Sequence, residues 1–178
     1  MEVPEASYYV VVDLEATCDD LGAVPRGESE TIEIGAVLVE GRGLTAIGEL
    51  MTFVRPALHP VTPFCTALTT ITPEMVDGAP GFADAAARLA AFGAGALFCS
   101  WGAYDRNQLA ADAARHRIAP PLGPAHVNLK EAFARRMGMR KRLGTYSALR
   151  HLGIAPTGTR HRGIDDARNI ARVLPFLL

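Results

Sequence analysis

Hydrophobic and polar positions follow two different periods along this chain. From Tyr8 to Leu14 the residues are apolar almost without a break and rich in valine, the pattern of a strand buried on both faces. That run predicts the centre of a sheet. Thr31–Glu40 and Leu44–Val54 are also β-rich and are joined by Gly41-Arg42-Gly43, a hairpin signal, so three antiparallel neighbours are expected first. Proline punctuates residues 56–80, with short helical pieces predicted at Pro63–Leu68 and Pro73–Val76. Beyond residue 81 the period becomes helical, at Phe82–Phe92, Tyr104–Arg117 and about Leu129–Met137, Thr145–Leu152 and Ile164–Leu178. Short strands are expected at Ala96–Ser100 and near Val127. This succession of elements predicts an α/β fold with a mixed five-stranded sheet, three antiparallel strands and then parallel ones, flanked by helices.

A length of 178 residues with 49% apolar side chains suits one domain spanning 1–178, and no repeat or linker divides it. The formal charge of −1 gives no global sign of a nucleic-acid partner. Its distribution does. Residues 1–100 hold fourteen acidic and four basic side chains, whereas 101–178 hold five acidic and fourteen basic, a split that points to a polyanion on one side. Cys18, Cys65 and Cys99 lack the spacing of a disulfide framework or a structural zinc site, which fits a reducing compartment. The stretch Met1-Glu2-Val3-Pro4-Glu5 is acidic where a secretory signal is basic, and no apolar run approaches the ~20 residues of a membrane span. The expectation is a soluble, cytoplasmic protein without membrane association.

Alternation along the first strand puts Asp13 and Glu15 on one face at its C-terminal end, where α/β folds place sites. Two neighbouring carboxylates beside a buried strand repel each other unless a cation lies between them, and a divalent metal answers that need. A hydrated strand end is the plainer reading of an isolated D-x-E. Asp105 opens the helix after the fourth strand with Gln108 three residues on, the signature of an N-cap, yet it also sits where it would meet Asp13 and Glu15. In the last helix, Asp165 shares a polar face with Arg168, Asn169 and Arg172. Asp166 shares the apolar face with Ile170, Val173 and Leu177. An acid on a packed face needs a partner, so Asp166 is the better ligand candidate and Asp165 the solvated acid. His161 precedes them in a loop, and an imidazole, with its ordinary pKa near ~6.5, is the side chain suited to proton transfer at neutral pH.

Taken in order, Asp13-Leu14-Glu15-Ala16-Thr17-Cys18, Ser100-Trp101-Gly102-Ala103-Tyr104-Asp105 and His161-x4-Asp166 resemble the DEDDh group of 3′-5′ exonucleases in the ribonuclease H-like superfamily. Pro63-Phe64-Cys65, Leu68-Thr69-Thr70-Ile71-Thr72 and the ending H-x-G-x-D-D-A-x-N-I-A-R narrow the resemblance to the Eri-type exoribonucleases, over residues 8–178. The resemblance implies a ribonuclease H-like exonuclease fold and a two-metal phosphodiesterase. Asp13, Glu15, Asp105 and Asp166 would hold two Mg2+ or Mn2+ ions, and His161 would be the general base releasing nucleoside 5′-monophosphates. It further implies that Ala16 and Thr17 meet the terminal ribose and that Leu68 and Thr69 line the terminal base. Thr70 stands where the family usually has glycine. Trp101 is a candidate for stacking on a base. Lys130, Arg135, Arg136, Arg140, Lys141 and Arg142 form a basic run, in which Arg135 and Arg136 are the candidates for holding phosphates. The expected partner is nucleic acid, an RNA 3′ end by preference. The alternatives are a DNA- or oligonucleotide-directed exonuclease of the same group and a non-catalytic nucleic-acid-binding domain.

Overall fold

The computed structural model describes residues 3–25 and 27–178; Met1 and Glu2 of the acidic N-terminal stretch, and Arg26, lie outside the described residues. Five strands form one sheet: β1 (Tyr8–Ala16), β2 (Thr31–Glu40), β3 (Thr45–Phe53), β4 (Leu97–Ser100) and β5 (His126–Asn128), in the order β3-β2-β1-β4-β5. The valine-rich run is the central strand. It pairs antiparallel with β2 and parallel with β4, and β4 pairs parallel with β5. The mixed sheet is thus the one the sequence predicts.

Among the described residues seven helices lie between and after the later strands: α1 (Pro63–Thr69), α2 (Pro73–Asp77), α3 (Phe82–Phe92), α4 (Tyr104–Arg115), α5 (Leu129–Arg136), α6 (Thr145–His151) and α7 (Gly163–Ala171). Alternation in β1 divides the core. Val10, Val12 and Leu14 pack with Leu89 of α3 and Leu109 of α4. On the opposite face Tyr9 and Val11 pack with Phe133 of α5, Leu149 of α6 and Ile170 of α7. A small third cluster, Ile32, Val61, Cys65, Ile71 and Val76, seats α1 and α2 beside the end of the sheet.

Two sequence expectations for the last helix are corrected. It stops at Ala171 and gives way to a 3-10 turn at Leu174–Phe176, because Pro175 has no N–H to donate and its ring collides with the carbonyl of residue 171 in a continued helix. Asn169, expected on the solvent face, is fully buried. Its side chain accepts from the Thr157 N–H and donates to the Thr157 carbonyl, fastening the loop before α7.

The entry of α7 onto the sheet is unusually close. A Cβ at Gly35 of β2 would lie 2.1 Å from the Gly163 carbonyl carbon and from the Ile164 nitrogen, and one at Gly163 would lie 2.9 Å from the Asp13 carbonyl oxygen. Only two facing glycines permit this backbone contact. Beside it Glu33 of β2, 0% exposed, pairs with Arg162 at 2.9 Å. Among the described residues no helix is long and apolar enough to cross a membrane. Gly35→Ala is expected to lift α7 from the sheet and cost about 3 kcal/mol or more in urea unfolding, since backbone cannot move aside as a side chain does. Gly81→Ala, where a Cβ meets open space, should stay within about 1 kcal/mol of the parent. Equal stability of the two variants would contradict the packing described.

Candidate active site

Beyond Val11, the last residue of β1 paired to β4, the strand runs on to Ala16. The Leu14 N–H there donates 3.1 Å to Asp105 Oδ1, so a side chain continues what the ladder leaves off. This corrects the N-cap reading of Asp105: Ala103 holds the cap position and Asp105 sits in the first turn of α4, 4% exposed. Gln108 does not complete a capping box either. Its amide donates to the Ser29 carbonyl and to buried Asp112, which also accepts from the Thr31 N–H and hydroxyl.

Asp13, Glu15, Asp105, Asp166 and His161 all line one cavity of about 430 Å³ at the C-terminal end of β1. Glu15 and Asp166 are 8% and 7% exposed, and candidate donor atoms of Glu15, Asp166 and His161 lie within 4.8 Å of one another. Burial is the main force on their acidity. It raises Asp13 well above the usual carboxylate range, aided by Asp105, Asp166 and Glu15, and raises Glu15 to about 8, aided by Asp166. Asp105 is pushed up to about 6, burial outweighing the relief from the Leu14 N–H. Asp166 is raised by burial too, offset by the nearby Tyr146 hydroxyl and the His161 N–H. One oxygen of Asp166 accepts that N–H at 2.9 Å, while its Oδ1 and the Tyr146 hydroxyl are buried without a hydrogen-bond partner.

An orphaned buried carboxylate oxygen among crowded acids is what divalent cations would relieve. The donor set, four carboxylates, suits hard ions of the magnesium and manganese type. The residues present therefore fit the metals that the sequence implies. His161 adopts φ +59°, a left-handed conformation that costs about 1–2 kcal/mol for a non-glycine residue. Its loop is held from both sides: Asp165 accepts from the Thr159 N–H at 2.8 Å and pairs with Arg168, which in turn pairs with Glu49. Asp165 is thus a half-buried tether rather than the solvated acid expected.

The remaining candidates divide. Ala16, Leu68 and Trp101 line the cavity, with Leu68 40% exposed. Trp101 also donates from its indole to the Leu143 carbonyl and leans on Phe133, so one side of it belongs to the core. Thr17 and Thr69 are buried outside the cavity lining. The Thr17 hydroxyl accepts from the Glu30 N–H, and the Thr69 hydroxyl donates to the Cys65 carbonyl, work that holds a loop and a helix end. Arg135 and Arg136 are not brought to the site. They line a different cavity with Val3, Pro4, Leu177 and Leu178, because α5 runs away from the site toward the opposite end of β1. Sequence reasoning missed Tyr104, Tyr146, Arg150 and Arg160, which do line the site cavity, and Glu33 beside it. For Glu33 the signal was an acid within an apolar strand; for the others the linear sequence offers no comparable mark. Thr70 ends α1 at φ +63°, the left-handed position where glycine carries no Cβ penalty.

A family model described as an exonuclease matches residues 10–174. ERI1 exoribonuclease 3 of Mus musculus is 31% identical over 183 residues, covering 96% of this chain and 53% of the relative. The 3′-5′ exonuclease eri1 of Schizosaccharomyces pombe is 28% identical over 200 residues, covering 94% and 66%. The chain thus spans about half to two thirds of the length of these relatives. Among solved structures, the nuclease domain of 3′hExo, a DEDDh family member bound to rAMP, superposes with a TM-score of 0.87 at 26% identity, covering 95% of this chain and 90% of that one.

Two outcomes are expected. In chelator, a carboxylate whose folded pKa is raised binds its proton more tightly folded than unfolded, so stability falls as pH rises from about 4.5 toward the value of about 8 for Glu15. Mn2+ should accordingly raise the melting temperature more at pH 8 than at pH 6. Asp13→Asn should melt higher than the parent in chelator at pH 8 and lose most of the Mn2+ shift. A metal shift independent of pH, or a less stable variant, would contradict the electrostatics. Separately, Thr70→Gly should stabilise the protein by about 1 kcal/mol in urea unfolding; a loss of stability would show that the Thr70 side chain contributes more than its strained backbone costs.

Proposed function

The chain belongs to the Eri-type branch of the DEDDh 3′-5′ exonucleases, and from that premise we propose that it removes nucleoside 5′-monophosphates from single-stranded RNA 3′ ends or short 3′ overhangs. One observation carries the reading: four carboxylates and a histidine, drawn from β1, α4, α7 and the loop before it, converge on one cavity at the end of the central strand. Support for RNA comes from relatives named as exoribonucleases.

Asp13, Glu15, Asp105 and Asp166 would hold two divalent cations. When bound, such ions neutralise the acids and stabilise charge on the attacking and leaving oxygens of an in-line displacement at phosphorus. The chain's own residues do the rest. Asp166 anchors the His161 backbone through its N–H, and Asp165 and Arg168 brace the loop, so the imidazole stays beside Glu15 and Asp166 where it takes a proton from the attacking water. Ala16 and Leu68, on the cavity wall, would meet the terminal nucleotide, and Trp101 offers a ring to a base.

With 5′-labelled single-stranded RNA, Mg2+ or Mn2+ should give a ladder shortening from the 3′ end. Asp13→Asn should abolish it, and His161→Asn should lower kcat by about 10²–10⁴ with little change in metal-dependent melting. Matched DNA should be cut more slowly. Intact RNA with bound oligonucleotide would favour a non-catalytic binding domain, and faster loss of DNA would move the substrate to DNA.

A further inference from the structure

Positive charge does reach the active-site cavity, but from a different part of the chain than the basic run at 130–142. Arg150, at the end of α6, and Arg160, next to His161, both line it. Among the described residues neither pairs with a carboxylate, in contrast to Arg162 and Arg168, which Glu33, Asp165 and Glu49 engage. Both are nonetheless positioned. Arg160 lies over the Tyr146 ring, 5.3 Å from its centroid, and Arg150 donates 3.1 Å to the Ser147 hydroxyl. Both residues are exposed. Within the basic run, Arg142 pairs with Glu131 and Arg135 and Arg136 face another cavity.

We propose that Arg150 and Arg160 form a phosphodiester clamp on the wall made by α6 and the loop before α7, gripping the backbone of a nucleic-acid strand as its 3′ end enters among the four acids. The inference rests on the nucleic-acid reading above and assigns the contact to two residues. A guanidinium presents a fork of donors that matches phosphate oxygens. Stacking on Tyr146 removes part of the entropy cost of holding Arg160 in that pose. Contacts of this kind are indifferent to base sequence and weaken with salt.

The test is fluorescence anisotropy of a 5′-labelled single-stranded oligoribonucleotide in Ca2+, over a series of NaCl concentrations, with strand integrity checked on a gel. Arg150→Ala and Arg160→Ala should each weaken binding by about tenfold and reduce the slope of log Kd against log[NaCl] by about 0.7, equally for oligonucleotides of different sequence. Each should melt as the parent does. Arg150→Lys should recover the slope while recovering only part of the affinity. Arg135→Ala should leave the slope unchanged. An unchanged slope in both cavity variants overturns the clamp, as does a loss matched by Arg135→Ala. The RNA ladder is read separately on the same protein: reduced slopes without a ladder keep the clamp and remove the nuclease, and a ladder with unchanged slopes does the reverse.

Discussion

The backbone of α7 rests on the backbone of the central strands, and the site exists because of that contact. Gly163 reaches within van der Waals range of Asp13 and Gly35, with no side chain between the first turn of the helix and the sheet. That proximity brings Asp166 alongside Glu15, although the two are separated by 150 residues of chain. The Glu33–Arg162 pair secures the same junction from beside it. Directly across the ladder from Glu15, Glu33 would be a second buried like charge if Arg162 did not neutralise it.

The acids so gathered destabilise one another. Burial raises Asp13, Glu15, Asp105 and Asp166, with repulsion from neighbouring acids adding to the rise at the first three, and among the described residues none of the four has a paired arginine as Glu33 has Arg162. His161 adds backbone strain and Asp166 an unsatisfied oxygen. Cost concentrated in five residues at one cavity, beside a core built from apolar clusters, is the pattern of a site built for ligands that bring positive charge.

Much of this was legible in the sequence where the physics is local. The valine run marked the central strand, alternation put Asp13 and Glu15 on one face, and helical periodicity separated Asp166 from Asp165. Legibility failed where distant segments meet. Nothing near Asn169 announces that a loop twelve residues earlier needs its amide, so a buried anchor looked like a surface polar residue. Asp105 carried the mark of a helix cap because its true acceptor role is toward Leu14, 91 residues away. Arg135 and Arg136 stood out as a dense charge cluster, yet density in sequence does not say which end of the sheet a helix points to, whereas the isolated Arg150 and Arg160 reach the cavity. Pro175 was a local signal of helix termination.

The converged acids are proposed to hold divalent cations and to surrender protons in doing so. Calorimetric titration of the protein with Mn2+ at pH 7, repeated in buffers of different ionisation enthalpy, measures both stoichiometry and protons released. About two ions per chain and net proton release are expected, because metal binding lowers carboxylate pKa values that burial has raised. Absence of binding, or binding with no proton release, would contradict that.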